Sequence, residues 1–340
     1  MLQGHGDDKH NYPEIRSNFS SNIYPHAELT GLKNHLREKM DMIDSYPEPE
    51  PHSLETAIAS KFGISADNVL VTNGATDAIY LIAQTAAKNK LTHFSVGALP
   101  TFSEYEDASR MFGLTQSNCC DGTDNTGHTA LWLCNPNNPT GDVYSGDDLK
   151  DFAQKFGIVV IDQSYEDYTL APMMTHRQAA ESENIIQLHS LTKTYAIPGL
   201  RIGYVIAPRN IITMLRENIR PWAVNALAIE AGKWLVENNM QVIPDLQAYL
   251  AETQRLRAML NQIPGISAAE TQTNFFLVEM ASKTAADLKD YLARKHHILI
   301  RDASNFRGLT LRHFRVSTQT PEENDLLANA IRGFILEYLK

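Results

Sequence analysis

Four short segments of the 340-residue chain hold side chains that could do chemistry as a group: Thr72-Asn-Gly-Ala-Thr-Asp77, Asn135-Pro-Asn-Asn-Pro-Thr-Gly141, Asp162-Gln-Ser-Tyr165 and Ser190-Leu-Thr-Lys-Thr-Tyr-Ala-Ile-Pro-Gly-Leu-Arg201. In the first, Gly74 marks a turn into a helix start at Ala75 and Thr76. Free N–H groups and the positive end of a helix dipole suit a phosphate there, although a capped helix behind a glycine turn would look the same. In the second, two prolines and a glycine make a rigid loop around Asn138. Asp162 places a carboxylate at the end of an apolar run, as a ligand group or a loop cap. Lysine is normally a solvated surface residue. It becomes a nucleophile when desolvation or a nearby cation lowers its pKa. Lys193 lies among Ser190, Thr192 and Thr194, and Arg201 follows eight residues later as a possible cation or phosphate contact.

Each segment follows a run of strand length. Strands are expected at Val69–Thr72, Thr92–Val96, Ala130–Cys134, Gly157–Ile161, Ile185–His189 and Ile202–Ile206. Helices are expected at Ala75–Ala87, where Ile79, Ile82, Ala83 and Ala86 share one face, and near Asp147–Lys155 and Asn210–Asn218. This alternation predicts an α/β domain with a mostly parallel sheet. Ligands of such sheets bind outside the carboxyl ends of the strands.

The flanks have a different character. Residues 1–45 are polar and irregular, with a short helix expected around Leu32–Met40. Tyr46-Pro-Glu-Pro-Glu-Pro cannot be helical and reads as a boundary. Ser53 is the expected N-cap of a helix ending near Gly63. Ala226–Gln262 is expected to be helical with a break near Pro244, bridging two domains. Strands at Asn274–Val278, Ile298–Arg301 and Leu311–Val316, with helices at Ala285–Arg294 and Pro321–Tyr338, then make a small α+β module. The expected organisation is a large domain over 46–250 and a small one over 251–340, joined by the arm 1–45.

With 40 acidic against 30 basic residues the chain is a poor candidate for binding nucleic acid. Its three cysteines, Cys119, Cys120 and Cys134, lack metal-ligand spacing, so no metal is expected and a reducing cytoplasm is. No apolar run has the length of a signal h-region near the start or of a membrane helix anywhere, so no membrane partner is expected.

A lysine, an acid and a phosphate cradle, each at a strand end, are what pyridoxal 5'-phosphate (PLP) requires. The four motifs together resemble those of the fold-type-I PLP enzymes of the class I/II aminotransferase superfamily, and the resemblance covers nearly the whole chain. It implies a three-layer large domain like that of aspartate aminotransferase. It implies Lys193 as the Schiff-base lysine and proton shuttle, Asp162 opposite the pyridine nitrogen, and Asn138 and Tyr165 on the ring 3-hydroxyl. Phe102, in Pro100-Thr-Phe-Ser-Glu-Tyr105, matches the aromatic that stacks on the ring. Gly74, Ala75, Thr76, Ser190 and Arg201 match the phosphate cradle. Arg315, in Leu311-Arg-His-Phe-Arg-Val-Ser317, matches the substrate-carboxylate clamp, and its rival Arg312 sits an odd number of residues away on the opposite strand face. Tyr46 resembles the tyrosine lent to a neighbouring subunit's cofactor phosphate, which implies a homodimer.

Two branches of the superfamily compete. The threonine-phosphate decarboxylases, which serve the aminopropanol arm of cobalamin synthesis, begin with a pair like His5-Gly6 and a segment like Phe19-Ser-Ser-Asn22, and carry a run like Ile298–Phe306. The histidinol-phosphate aminotransferases share the core motifs. The ends favour the decarboxylase, and the resemblance puts His5, Asn22 and Arg301 on a small amino-acid substrate's carboxylate or distal phosphate. The stretch Arg307-Gly-Leu-Thr310 is shorter than the loop many relatives carry. A non-catalytic PLP-fold sensor is disfavoured by the lack of spare length for a DNA-binding module, and a dinucleotide enzyme by the missing G-x-G-x-x-G.

Overall fold

A computed structural model of the chain describes residues 6–117 and 126–338. His5, Cys119 and Cys120 lie outside the described residues. The chain opens with β1 (Ser17–Asn18), α1 (Thr30–Glu38) and α2 (His52–Phe62). Then follow β2 (Val69–Thr72), α3 (Ala75–Lys88), β3 (His93–Val96), α4 (Glu104–Met111), β4 (Thr115–Gln116) and β5 (Thr129–Cys134). Next come α5 (Gly146–Lys155), β6 (Ile158–Asp162), α6 (His176–Ala180), β7 (Ile185–His189), the single turn α7 (Leu191–Thr194) and β8 (Gly203–Ile206). Helices α8 (Arg209–Arg216), α9 (Ala226–Glu237) and α10 (Leu246–Asn261) lead to β9 (Ile266–Ala268), β10 (Phe275–Met280) and α11 (Ala285–His296). The chain closes with β11 (Ile298–Leu299), β12 (Arg301–Asp302), β13 (His313–Ser317) and α12 (Pro321–Tyr338).

The main sheet has the order β2-β8-β7-β6-β5-β3-β4. All pairings are parallel except those of β8, which runs against both β2 and β7. Its central strands are buried on both faces, which is why they read as unbroken apolar runs. Val159 and Ile161 of β6 join one core with Leu54 and Ile58 of α2 and Leu235 of α9. Val160, between them, joins the opposite core with Ile79 of α3, Ala108 of α4 and Leu215 of α8. Strand alternation therefore sorts one sequence into two helical layers around a sheet.

A second sheet, β12-β13-β10-β9, is antiparallel. It shares a core with α10, α11 and α12 through Phe276, Phe314, Leu256, Leu292 and Ile331. Phe19 of the N-terminal arm is buried in that core, and β1 pairs in parallel with β11. The start of the arm is thus part of the C-terminal module in packing terms, whereas Leu32 of α1 joins the core of α2 and α9.

Two local expectations are corrected and one is met. Ser53 is not an N-cap: Pro51 holds that position, and the Ser53 hydroxyl and N–H both donate to Glu48, a carboxylate within easy reach. The expected break near Pro244 is present, opening at Asn238, and α10 restarts where Asp245 accepts from Ala248 N at 2.9 Å. The run Ile298–Arg301 divides into β11 and β12, which serve different sheets. Among the described residues no helix is long and apolar enough to cross a membrane.

Candidate active site

Strand directions bring the motifs to one edge. The carboxyl ends of β5, β6 and β7 lie side by side, with Cys134 opposite Asp162 and Asp162 opposite Leu188. Because β8 is antiparallel, its first residue, Gly203, pairs with Thr72 at the end of β2, so Arg201 arrives at the same edge. Ala75, Thr76, Ser190 and Arg201 thereby line a single cavity of about 290 Å³ together with Lys193 and Asp162.

Two glycines make the cradle possible. Gly74 has φ +84°, and a Cβ there would meet Arg201 Nη2 at 2.7 Å. A Cβ on Gly203 would meet the carbonyl oxygen of His189 at 2.7 Å and Ala75 N at 2.9 Å. Gly74 caps α3 without a side-chain acceptor, leaving the first helical N–H groups for a ligand. Ser190 Oγ lies 2.7 Å from Thr192 Oγ1, and both residues line the cavity.

Lys193 Nζ donates to the Ser21 carbonyl oxygen at 3.1 Å and stands 5.8 Å from the centre of the Tyr165 ring. Burial, then Arg315, pushes its pKa down to about 8. A substantial neutral fraction at ordinary pH makes it competent to attack an aldehyde. Tyr168 anchors the turn by donating to the Lys193 carbonyl oxygen at 2.9 Å.

Asp162 is buried, and burial raises its pKa. Ser164 N donates to Oδ1 at 2.9 Å and the Tyr105 hydroxyl to Oδ2 at 2.7 Å. Burial pushes the Tyr165 phenol up to about 12, with Arg315 acting against it. Phe102 lines the cavity and meets Tyr105 edge-on at 5.6 Å.

Arg315 and Arg301 are direct partners across β13 and β12, and both line the cavity. Arg315 donates to Asn138 Oδ1 and, at 2.6 Å, to the Ser20 carbonyl oxygen, while its buried Nε has no partner. Arg301 donates to Asn305 Oδ1 at 2.8 Å and lies 5.4 Å from the centre of the Phe306 ring. Arg312 points away, to Glu279 at 3.1 Å.

Two sequence-derived candidates stand apart from this wall. Asn22 is fully buried with φ +52° and its side chain acts on the Tyr165 phenol, but it does not line the cavity. Tyr46 is 85% exposed and packs on Trp222 at 5.3 Å, outside the cavity of its own chain. Sequence reasoning missed Asp7, Ser20, Ser21 and Tyr105, which all line the cavity. Asp7 follows His5-Gly6, and Tyr105 closes the quoted Pro100–Tyr105 motif, so the signal was adjacency to residues already chosen.

Glu166, His176 and His189 bring ligand-type atoms within 4.8 Å of one another. The two imidazole rings stack at 4.5 Å, with planes 11° apart, so their in-plane lone pairs run side by side and do not converge as a tetrahedral ion requires. His189 Nδ1 lies 2.7 Å from Glu166 Oε1. This is a packed polar stack behind β6 and β7.

The residues present fit PLP: an activated lysine, a buried acid and a glycine-shaped cradle with a cation share one cavity, and the Arg315 side chain keeps a buried Nε unmatched. Comparison with known proteins points the same way. A sequence profile described as "Aminotransferase class I and II" matches residues 15–331. The threonine-phosphate decarboxylase of Salmonella typhimurium is 28% identical, over 95% of this chain and 92% of that one. The histidinol-phosphate aminotransferase of Thermoanaerobacter pseudethanolicus is 29% identical, over 88% of this chain and 86% of that one. The crystal structure of L-threonine-O-3-phosphate decarboxylase from Porphyromonas gingivalis superposes with a TM-score of 0.88 at 33% identity, covering 94% of this chain and all of that one. Sequence match, strand order and cavity agree, and the chain belongs to the class I and II aminotransferase family of fold-type-I, PLP-dependent enzymes.

Proposed function

We propose that the enzyme acts on a small L-amino acid bearing a distal phosphate and releases its carboxylate as CO₂, as a threonine-phosphate decarboxylase does. The observation that carries this reading is the cross-strand pair of Arg301 and Arg315 in one buried cavity. Two guanidinium groups suit a ligand with two anionic ends.

In this reading Ala75, Thr76, Ser190 and Arg201 hold the cofactor phosphate, and Asp162 holds the pyridine nitrogen. Asn138 and Tyr165 reach the ring hydroxyl, and Phe102 covers its face. Bound PLP supplies an electron sink for the pair released at the substrate Cα. Arg315 orients the substrate carboxylate and Arg301 its phosphate, with Asn22 and His5 supporting them. The bond from Cα to the carboxylate breaks, its electron pair stays with Cα, and Lys193 Nζ returns a proton there. In a transaminase the same residues serve, but Lys193 first removes the Cα proton. The relatives of both branches keep that second reading in play.

The reading includes a large domain over 46–250 and a small one over 251–340 joined by the arm. It also includes a cytoplasmic homodimer in which Tyr46 serves the neighbouring cofactor. A buried free thiol at Cys134 is compatible with a reducing compartment. Incubation of the holoenzyme with O-phospho-L-threonine, with and without 2-oxoglutarate, separates the branches. CO₂ release independent of the keto acid supports the decarboxylase; glutamate formation without CO₂ overturns it.

A further inference from the structure

The acid at the end of β6 is held by a residue to which neither the motif comparison nor the proposed chemistry gives a role. Asp162 Oδ2 accepts from the Tyr105 hydroxyl at 2.7 Å, inside the protein. The phenol also meets the buried Cys134 thiol, and its ring is held in place on one face. Its ring stacks on Trp132 at 5.4 Å, with planes 10° apart, and Trp132 is itself fixed by donating to Ser109 Oγ at 3.1 Å. Helix α4, which carries Tyr105, is tied down by its flanking residues. Glu104 accepts from the Tyr80 hydroxyl at 2.9 Å, and Glu106 pairs with Arg110 at 2.6 Å and with Arg307, from the loop after β12, at 2.8 Å.

The hydroxyl is more than a packing feature. A phenylalanine would keep the stack on Trp132 and the edge contact with Phe102. What tyrosine adds is one donor to a carboxylate that burial pushes toward its neutral form. The phenol stays protonated at working pH, since burial and Asp162 raise its pKa well above the usual value. It therefore acts as a fixed donor.

We propose that Tyr105 is a positioning residue that, from the Oδ2 side and together with Ser164 on the other, keeps Asp162 ionised and aimed at the pyridine nitrogen of the cofactor. The inference rests on the reading of Asp162 as the pyridine partner. An ionised, well-oriented carboxylate holds the ring nitrogen protonated, and the electron sink depends on that proton. The other titratable groups that act on Asp162 or feel its charge are Cys134, Tyr165, His189 and Lys193. The donors to its oxygens come from two residues, the Tyr105 hydroxyl and Ser164, whose N–H and side chain both favour the ionised form.

The test measures the dissociation constant of PLP itself, by absorption and fluorescence titration, for wild type, Y105F, W132F and D162N between pH 6 and 8. A hydrogen bond to a charged group corresponds to a loss of about 10-fold or more in affinity for Y105F. The Y105F/wild-type ratio should grow as pH falls, because an unsupported buried carboxylate takes up a proton at higher pH, and the ratio cancels the cofactor's own titrations. W132F, which loosens the packing but leaves the hydroxyl, should show no such pH-dependent ratio. A Y105F protein with wild-type affinity and pH profile, beside a weakened D162N, overturns the role of Tyr105 alone. The same holds if Y105F and W132F lose affinity equally at every pH. If D162N binds as tightly as wild type, the reading of Asp162 falls, and the inference with it.

Discussion

Arg301 of β12 and Arg315 of β13 are direct cross-strand partners, with 6% and 5% of their surfaces exposed. Like charges directly opposite one another destabilise a sheet. Burial and the Arg301 charge pull the Arg315 pKa down to about 10, a sign of that mutual cost. Partners on the protein offset part of it: Asn138 and the Ser20 carbonyl oxygen for Arg315, Asn305 and the Phe306 face for Arg301. A ligand with two negative groups would offset the rest.

That division of labour predicts separable defects. R301Q should raise KM for O-phospho-L-threonine by about 10- to 100-fold, the range of a charge-assisted hydrogen bond, while leaving PLP affinity unchanged. R315K keeps the charge but loses the two-pronged geometry, so it should lower kcat/KM for any amino-acid substrate, phosphorylated or not. Steady-state kinetics on phosphorylated and plain threonine separate the two. Equal losses on both substrates in R301Q would remove Arg301 from the phosphate.

Lys193 makes a pH-dependent prediction. With a pKa near 8, the rate at which PLP attaches to the cofactor-free protein should rise about tenfold per pH unit below 8 and level off above it. Since Arg315 helps to lower that pKa, R315Q should move the break upward. Stability of the cofactor-free protein follows the same sign. Between about 8 and the ordinary 10.5 the unfolded chain holds the proton more tightly, so stability increases with pH in that window. Thermal melts of K193M should lack that increment.

Tyr46 stands outside the cavity of its own chain. It is 85% exposed and rests on Trp222, itself 49% exposed. Two large aromatic rings in water are a contact surface in waiting. Sedimentation should show a dimer, and Y46A should bind PLP more weakly although its own cavity wall is intact. Mixed dimers of Y46A with K193M should regain one tight site, because the K193M subunit lends a native Tyr46 to the only competent lysine. A monomer, or mixed dimers that bind no better than Y46A, would take Tyr46 out of the site.

Much of this site was legible in the sequence because the central strands of the main sheet are buried on both faces. Such strands read as plain apolar runs, and their ends mark where a ligand edge must be. Lys193, Asp162 and Thr76 each follow such a run closely enough to be assigned to that edge from the sequence. The remainder depends on register and direction, which composition does not encode. Nothing in the run around Ile202 says that β8 is antiparallel, yet that reversal delivers Arg201 to the cradle. Nothing local pairs Arg301 with Arg315, or aims Tyr105 at Asp162 across 57 residues. The Ser53 cap failed for a local reason, since a carboxylate five residues earlier takes its hydroxyl and N–H.

Gly203 gives the sharpest purely steric prediction. It stands where β8 starts, opposite Thr72, with the phosphate turn directly against it. A methyl group there would fall 2.7 Å from one backbone oxygen and 2.9 Å from one backbone nitrogen, neither of which can swing aside as a side chain could. G203A must therefore push the turn at Gly74 and Ala75 away from β8, at an overpacking cost of about 1–3 kcal/mol. The same movement displaces the N–H groups that the phosphate needs, so PLP affinity should fall by more than the loss of stability alone would suggest. Pyridoxal, which lacks the phosphate, isolates the cause. Its weaker binding should change little in G203A, whereas PLP binding should fall at least about 10-fold. Equal losses for both would place the damage in the fold and not in the cradle.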